Sequence, residues 1–328
     1  RLMKQHFFHT YPAINNALDK VNQTINDRIT IKNTQLHDAL QQMASNGGKY
    51  LRPAFFLLFA NINHQTAAEQ EKLIKIASSL EVLHMATLIH DDIIDDSPKR
   101  RGAVSVQAAF GKDTAVYTGD FLFTIFFDLL VETMTGSPYL TRNARTMRKI
   151  LTGELGQMDN RFDLDQSLLD YYRNVNGKTA AIFSLAAEEG AYFGHGDRRT
   201  INLAKRIGQN IGISFQILDD ILDYSGDERL NKPVLEDLAT GVYSLPLLLT
   251  LQNHRHELEP LLAKKRQMTI EDMEKVQKIV VTHGGVKQAQ EIATKFTQKA
   301  QTEIDQLADK HTRKMLKLVA DKLLTRVN

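Results

Sequence analysis

The sequence predicts an all-α fold, and three observations support this prediction. The chain has 18 glycines and 7 prolines among 328 residues, a share of about one in thirteen where about one in eight is usual, so turns are scarce. Apolar residues recur at steps of three and four, which is the period of a helix with one buried face. No stretch alternates apolar and polar residues for long enough to indicate a sheet.

Turn-forming residues divide this helical pattern at five places. The breaks fall at residues 47–48, 96–102, 136–138, 194–196 and 225–233. The segment Glu81–Ile89 is apolar nearly all round, which predicts a helix buried on most sides. Gly284–Gly285 precede a last predicted helix, whose apolar face consists of Val286, Ala289, Ala293, Phe296, Ala300, Ile304 and Leu307. No linker of serine and glycine divides the chain, so residues 1–328 are expected to form a single domain.

Composition excludes several classes of protein. Lys and Arg number 41 against 39 Asp and Glu, a formal charge of +2, so no net field attracts nucleic acid, and no nucleic-acid partner is expected. Cysteine is absent, which excludes disulfides and cysteine-ligated metals and is compatible with a reducing compartment, so a cytoplasmic location is expected. The longest uninterrupted apolar runs, such as Ala54–Ala60, fall short of the roughly 20 residues that a membrane span needs.

One acidic pattern occurs twice in the chain. It appears as LIHDDIIDDS at 88–97 and as QILDDILDYS at 216–225. Residues four apart share a helix face, so Asp91 pairs with Asp95, and Asp219 with Asp223. These like charges repel and need cations, and carboxylates without His or Cys favour magnesium over zinc. One copy alone is equally compatible with a solvated helix end, whereas two copies favour two metal-binding helices that face each other.

Basic residues cluster in segments close to these acids. They are Lys49 and Arg52 in GGKYLRP, Arg100 and Arg101 after the first acidic segment, Lys178 in NGKTA, and Lys232 after the second. Guanidinium groups match pairs of phosphate oxygens, and lysine supplies a point charge. Each base alone is more simply a solvated surface charge, but acids for metals together with bases for phosphates indicate a diphosphate site. The phosphate-loop pattern of ATPases is absent, so ATP hydrolysis is not indicated.

These motifs resemble those of the trans-isoprenyl diphosphate synthases, the polyprenyl synthetase family. GGKYLRP at 47–53 is similar to the family's GGKxxRP, HMATLIHDDIIDDSPKRRG at 84–102 to its first aspartate-rich motif, and FQILDDILDY at 215–224 to its second. The resemblance covers essentially the whole chain. It implies a bundle of long antiparallel helices around a central cavity. It also implies a magnesium-dependent prenyltransferase that condenses isopentenyl diphosphate head to tail onto an allylic diphosphate such as farnesyl diphosphate.

The resemblance also assigns roles to individual residues. Around the allylic diphosphate, three magnesium ions would be held by Asp91, Asp92, Asp95 and Asp219, with support from Asp220 and Asp223. The same diphosphate would be bound by Arg100, Lys178 and Lys232. Isopentenyl diphosphate would be bound by Lys49, Arg52, His84 and Arg101, and the space between the substrates would be lined by Thr179 and Gln216. Taken alone, His84 is better explained as a polar group on a buried helix.

One loop departs from the family pattern. The usual GKPxGxDL reads NKPVLEDL at 231–238, with Asn231 and Leu235 in place of glycines. Lys232 and Asp237 are retained, but the course of the backbone over the diphosphate is open.

Product length is expected to depend on residues before Asp91, because the growing chain should run beside that helix. Short-chain members of the family place bulky aromatics four and five residues before the first Asp, where this chain has Thr87 and Ala86. One helical turn rises about 5.4 Å, comparable with one isoprene unit. The tunnel is therefore expected to end deeper, near Leu83, Leu80, Phe121 or Phe123, and the product to have about six or seven units. Ordinary core packing explains Ala86 and Thr87 equally well, and a farnesyl or geranylgeranyl product is the alternative.

The sequences of the motifs also bear on the oligomeric state of the protein. HMATLIHDDIIDD and YTGDFLF are most similar to the catalytic subunit of heptaprenyl and hexaprenyl diphosphate synthases. The resemblance implies a homodimer, or a heteromer in which the chain is inactive without a small non-catalytic subunit, and at most peripheral membrane contact for product release. Head-to-head condensing enzymes and terpene cyclases usually lack GGKxxRP, and silent regulatory subunits usually lose aspartates that this chain retains.

Overall fold

The computed structural model describes residues 11–46, 50–100, 102–225 and 235–324. Within these ranges the chain is almost entirely helical, which confirms the predicted all-α fold. The chain divides into two compact units, one of residues 1–143 and 185–204, the other of residues 144–184 and 205–328. The single domain expected from the sequence stays a prediction.

In its described residues, the first unit contains six helices that lie wholly within it and a short hairpin. Their bounds are α1 Pro12–Arg28, α2 Thr34–Asn46, α3 Leu51–Ala60, α4 Ala67–Ile94, β1 Lys99–Arg100, β2 Ala103–Val104, α5 Val106–Phe110 and α6 Lys112–Met134. Helix α4 begins where the Thr66 side chain accepts a hydrogen bond from the backbone N–H of Glu69, which satisfies one of the unpaired donors at a helix start.

The remaining helices continue the chain to its described end. They are α7 Pro138–Asp159, α8 Leu168–Gly177, α9 Thr179–Phe193, α10 Arg198–Ser225, α11 Glu236–Thr240, α12 Leu245–Leu262, α13 Ile270–Thr282, α14 Gly285–Ile304 and α15 Lys310–Leu324, with a 3-10 turn at Lys265–Gln267. Helices α7, α9 and α10 contain residues of both units. Capping boxes begin α8, with Ser167 and Asp170, and α13, with Thr269 and Asp272.

Helices end at three of the predicted breaks, with Ile94, Met134 and Phe193 as their last residues. The other two predicted breaks, at 47–48 and 225–233, fall on residues that lie almost wholly outside the described ranges and stay predictions. The second break also contains the hairpin, in which Lys99 lies opposite Val104 and Arg100 opposite Ala103 in antiparallel register. Strands of two residues show no alternation of apolar and polar positions, so the sequence did not predict them.

Helix α4 is the central element of the first unit and packs chiefly against α6, with α1 and α3 as further neighbours. The prediction that Glu81–Ile89 is buried is confirmed for most of its residues. Three of them, His84, Thr87 and Leu88, are only half-buried. They lie together on one side of the helix, which leads toward the first acidic motif.

By length and composition alone, α4 and α6 are the two helices in the described part of the chain that pass the test for a membrane span. The apolar window of α4 is 72% buried inside the structure and that of α6 is 44% buried. The core helix of a soluble protein passes the same test, and the burial of α4 fits that explanation. The sequence analysis considered only uninterrupted apolar runs, and both helices carry polar residues at intervals.

The second unit contains the predicted last apolar helix face. In α14, Ala289, Ala293, Ala300 and Ile304 are buried, and Leu307 just beyond the helix is buried as well. This face packs against α12 and α13. The predicted helix and its buried face are therefore confirmed.

Candidate active site

The first aspartate-rich motif occupies the last turn of α4. Asp92 is buried, Asp91 is half-buried, and the half-buried Asp95 directly follows Ile94, the last residue of the helix. The C-terminal end of a helix carries a partial negative charge. Carboxylates gathered there favour a bound cation.

Arg100 provides one such cation from the neighbouring hairpin. Its Nε donates to Oδ2 of Asp92 at 3.2 Å and its Nη2 to Oδ1 at 2.5 Å. The segment is held in place because the Ser105 hydroxyl and the Gln107 amide donate to the carbonyl oxygen of Ser97 at 2.6 and 2.8 Å. This two-point ion pair neutralises a buried carboxylate and keeps a guanidinium group beside the motif.

A half-buried stripe on α4 leads to the same acids. This face consists of His84, Thr87, Leu88, Asp91 and Asp95, each of which lies three or four residues from another member. Among the residues predicted to limit product length, Thr87 lies on this face. The side chains of Leu83 and Ala86 are 1% and 0% exposed, and both lie in the interior of the first unit.

His90 links the motif to α6. Its Nε2 lies 3.2 Å from the carbonyl oxygen of Val116 and 3.3 Å from Oδ1 of Asp120. A Cβ atom at Gly119 would stand 2.3 Å from the same nitrogen, so only glycine leaves room for the ring. The contact fixes the position of α4 along α6 immediately before Asp91.

The second aspartate-rich motif occupies the last turns of α10. Asp219 is half-buried, whereas Asp220 and Asp223 are 4% and 1% exposed. Oδ1 of Asp223 accepts a hydrogen bond of 3.2 Å from the backbone N–H of Glu236, the first residue of α11. This carboxylate therefore stabilises the start of the next helix.

Asp220 is surrounded by neutral hydrogen-bond donors. The Tyr171 hydroxyl donates to its Oδ2, and Nε2 of Gln216 donates to its Oδ1 at 2.9 Å. The Thr179 hydroxyl in turn donates to Oε1 of Gln216 at 2.7 Å. Burial, followed by the negative charge of Asp237, raises the pKa of Asp220 to about 7. The structure thus brings together the predicted residues Thr179, Gln216 and Asp220.

Tyr171 is a residue of this network that the sequence analysis missed. It lies in α8, two helical turns before Lys178, and burial raises its pKa well above the ordinary value. Its hydroxyl is held by the carboxylate that it orients. In the sequence nothing distinguishes it from a tyrosine of the core, because its partner is far away along the chain.

Lys178 directly follows the last residue of α8 and contacts an acid of α7. Its Nζ lies 2.6 Å from Oε1 of Glu154. Both side chains are partly exposed, so the ion pair itself stabilises the fold by at most about 1 kcal/mol. It holds the ammonium group one residue before Thr179.

Of the other predicted bases, the structure describes only one. Arg52 is the half-buried residue of α3, a helix whose other residues are all buried. Lys49, Arg101 and Lys232 lie outside the described residues, so the roles predicted for them stay predictions.

Leu235 stands where the family pattern has a glycine. Its backbone is left-handed, with φ 65° and ψ 28°, which costs a non-glycine residue about 1–2 kcal/mol. Its side chain is 3% exposed, and this burial offsets part of the cost. The chain therefore keeps at this position the backbone conformation that a glycine would favour.

The donors of both motifs fit a hard divalent cation. All their acidic ligands are carboxylates, which are the oxygen donors that magnesium and calcium prefer. In the second unit, the negative charges of Asp237 and Asp219 both contribute to the raised pKa of Asp220. A divalent cation would relieve this repulsion between like charges.

Comparison with known sequences agrees with these motifs. A model of the polyprenyl synthetase family matches residues 33–281. Heptaprenyl diphosphate synthase component 2 of Geobacillus stearothermophilus is 33% identical over 247 residues, which make up 75% of this chain and 76% of the relative.

Solved structures show the same similarity over nearly the whole chain. A geranylgeranyl pyrophosphate synthase from Lactobacillus brevis superposes with a TM-score of 0.92 at 38% identity, covering 98% of this chain and 99% of the other. A polyprenyl synthase from Caulobacter crescentus, complexed with calcium and isoprenyl diphosphate, gives 0.88 at 30% identity, with 97% of each chain covered.

Proposed function

This chain belongs to the polyprenyl synthetase family, and we propose that it makes a medium-chain diphosphate of about six or seven isoprene units. Membership makes it a trans-prenyl diphosphate synthase, a prenyltransferase that acts on isoprenyl diphosphates and depends on a divalent metal. Its relatives range from geranylgeranyl to heptaprenyl and solanesyl synthases, so product length is the open property.

Thr87 is the observation that supports the medium-chain product. It lies one helical turn before Asp91, on the same half-buried face of α4, and its side chain is small. A growing chain that passes Thr87 would meet a small side chain at this position instead of the aromatic ring of short-chain members. One turn deeper lies Leu83, which is buried, and we propose it as part of the floor, together with Phe121 and Phe123 of α6.

A product of four units is the second candidate. It is favoured by the similarity to the Lactobacillus brevis protein, which is named a geranylgeranyl synthase. In that case the tunnel would close directly below Thr87.

We propose that magnesium is the metal and that three ions bind with the allylic diphosphate. Their ligands would be Asp91, Asp92, Asp95 and Asp219, with Asp220 and Asp223 in support. Bound magnesium would stabilise the charge that develops on the departing diphosphate. Asp220 would act through its hydrogen bonds to Tyr171 and Gln216, which hold the end of α10 in a fixed conformation.

The bases are proposed to exchange partners when substrate binds. Arg100 is paired with Asp92, and Lys178 with Glu154. On binding, Arg100 and Lys178, together with Lys232, would turn from carboxylates to the oxygens of the allylic diphosphate, which frees Asp92 for a metal. Lys49, Arg52, His84 and Arg101 would hold isopentenyl diphosphate in the same way.

These residues would support ionisation of the allylic diphosphate. Preorganised positive charge stabilises the leaving diphosphate as its C–O bond breaks. The double bond of isopentenyl diphosphate attacks the allylic cation, and the released diphosphate accepts the proton that is then lost. The apolar helices α4 and α6 would exclude water, which would otherwise convert the cation to an alcohol.

The proposal is tested by incubating the purified chain with farnesyl diphosphate, labelled isopentenyl diphosphate and magnesium. Products are resolved by length. A ladder that ends at about six or seven units supports the proposal, and one that ends at four supports the second candidate. If no product forms although farnesyl diphosphate binds in a magnesium-dependent way, a partner subunit is required. Absence of both binding and product contradicts the assignment of the site.

The variant Thr87→Phe tests the observation that carries the proposal. The ring would stand on the open face of α4 one turn before Asp91, so we expect a product shortened by at least one isoprene unit. Thr87→Val, which keeps the size of the side chain, is the control. An unchanged ladder in Thr87→Phe would remove this face from the path of the growing chain.

We further propose that the chain forms a homodimer through α6. Val116, Tyr117, Phe127 and Val131 of this helix are 40%, 75%, 46% and 60% exposed, an unusual density of apolar surface for one helix. Light scattering of the purified chain should give twice its mass of 37.1 kDa, and Tyr117→Arg with Phe127→Arg should give the monomer. The Geobacillus relative is named component 2, so a monomer that dimerises only with a second subunit is the alternative outcome.

We also propose that the chain resides in the cytoplasm, in accordance with its lack of cysteine. Fractionation of cells that produce the chain should recover it with the soluble proteins. Recovery from carbonate-washed membranes would contradict this location.

A further inference from the structure

Helices α12 and α13 bring together three metal-ligating side chains that belong to neither aspartate-rich motif. His254 and Glu257 lie on α12, and His283 directly follows α13. One nitrogen or oxygen donor from each residue lies within 4.8 Å of the other two. Nε2 of His283 is 2.7 Å from Oε2 of Glu257, and the rings of His254 and His283 are nearly parallel with centroids 3.5 Å apart.

The backbone holds these side chains near one another independently of their own contacts. Gly284, next to His283, is left-handed with φ 78°, and a Cβ atom at Gly285 would stand 2.3 Å from Oγ1 of Thr250 and 2.6 Å from the carbonyl oxygen of Pro246. The turn after α13 therefore lies directly against α12, one helical turn before His254. A ligand set carried by packed backbone loses little entropy on binding an ion.

The local conformation and charge also suit a cation. His254 departs from helical geometry, with φ −131° and ψ 30°, so its ring does not follow the regular course of α12. Oε2 of Glu257 accepts a hydrogen bond from His283, so this carboxylate is directed toward the histidines. The neighbouring Arg255 is paired with Asp165 and Glu259.

We propose that His254, Glu257 and His283 bind a transition-metal ion of the zinc class and that this ion links α12 to α13. Two imidazoles and one carboxylate form a ligand set typical of zinc, with the fourth position left to water. Magnesium prefers oxygen ligands and is not expected there. Metal–ligand bonds of about 2.0–2.2 Å place neighbouring donors about 3.3 Å apart. The His283–Glu257 hydrogen bond would therefore open slightly, and the ring of His254 would rotate toward the ion.

Calorimetric titration of the full chain with zinc chloride tests the proposal. The protein is first stripped with a chelator and then kept in excess magnesium, which occupies carboxylate sites. We expect one equivalent of zinc to bind, with affinity at least tenfold weaker in His254→Ala and in His283→Ala. His311→Ala is the control, because this exposed histidine of α15 lies outside the ligand set, and it should bind zinc as the unaltered chain does.

Cobalt chloride provides a spectroscopic readout of the same site. Cobalt in a four-coordinate His and carboxylate site absorbs visible light more strongly than cobalt in an octahedral oxygen site, and we expect this absorption to be lost in His283→Ala. Far-UV circular dichroism establishes that each variant is folded, and Glu257→Gln replaces either histidine variant that is not. Equal zinc binding by the unaltered chain and by folded ligand variants, or no binding by the unaltered chain, overturns the proposal.

Discussion

The central acids of the two aspartate-rich motifs are buried to a similar degree, but they have different partners. Asp92 in the first motif forms a two-point ion pair with Arg100. Asp220 in the second receives hydrogen bonds from two neutral groups, the Tyr171 hydroxyl and the Gln216 amide. A guanidinium removes the net charge of a buried carboxylate, whereas neutral donors leave it, and desolvation then raises the pKa of Asp220 to about 7.

The third acids differ as well. Asp95 directly follows α4 and is half-buried, whereas Asp223 is buried and accepts a hydrogen bond from the backbone N–H of Glu236. The first motif thus presents two half-buried acids, Asp91 and Asp95, and the second presents one, Asp219. Similar sequences therefore do not imply equal contributions to metal binding: much of the second motif serves the local structure that positions Asp219.

The largest expected effect is the loss of either half-buried first acid. Asp91→Ala and Asp219→Ala each remove a proposed metal ligand that stabilises the departing diphosphate, so turnover should fall by about 10²–10³ or more. Steady-state kinetics at saturating magnesium measure this loss, and far-UV circular dichroism should be unchanged. Near-normal activity in either variant would exclude that motif from the metal site.

The pH dependence of stability should separate the two central acids. With its pKa at about 7, folded Asp220 keeps a proton that the unfolded chain releases near pH 4. The stability that this group contributes is therefore fully present below pH 4 and is lost as the pH rises to about 7. The free energy of unfolding should fall by about 2–3 kcal/mol between pH 5 and pH 8. Urea unfolding of the chelator-treated chain should show this loss, and Asp220→Asn should lack it.

Glu189 also contributes to the pH dependence of stability, but it does not disturb this comparison. Burial raises its pKa to about 8, and it contributes equally to the unaltered chain and to Asp220→Asn, so it cancels in the difference. If the two proteins have the same pH dependence, Asp220 is ionised in the folded chain and the contrast with Asp92 fails.

Removing the neutral donor should have an effect different in kind from removing the guanidinium. Tyr171→Phe takes away one hydrogen bond of Asp220, so we expect magnesium affinity to fall about 10–100-fold. Arg100→Gln should chiefly raise the KM for the allylic diphosphate. Magnesium titrations of activity and substrate titrations at saturating magnesium distinguish the two, and identical profiles would contradict separate roles.

The smallest effects, measured as stability in the absence of metal, are expected from the third acids. Asp223→Ala removes the hydrogen bond that the buried carboxylate accepts from the backbone N–H of Glu236, which should lower the free energy of unfolding by about 1–3 kcal/mol. Asp95→Ala removes a half-buried acid from a helix end and should change stability by less than about 0.5 kcal/mol. Urea unfolding in the absence of metal measures both values. Equal destabilisation would mean that the two acids have the same structural role.

The sequence by itself determined the fold class, three helix breaks that the structure describes and the buried stretch of α4, because all of these follow from local periodicity and turn-forming residues. It also determined the family, since the aspartate-rich motifs and their basic neighbours are contiguous in the chain. Two of its site residues, Thr179 and Gln216, lie together with Asp220 in the structure. The positions of the acids within each motif could be predicted for the same reason.

Only the tertiary structure decided which partner each acid has. Tyr171 meets Asp220, and Asp223 meets the start of α11, through packing of residues that are distant in sequence and carry no local signal. The same holds for the adjacent small residues Thr87 and Ala86. Thr87 is half-buried on the face of α4 that contains Asp91, and Ala86 is wholly buried. Helical periodicity predicts that neighbours face different directions, but which direction is the interior depends on the helices packed around them.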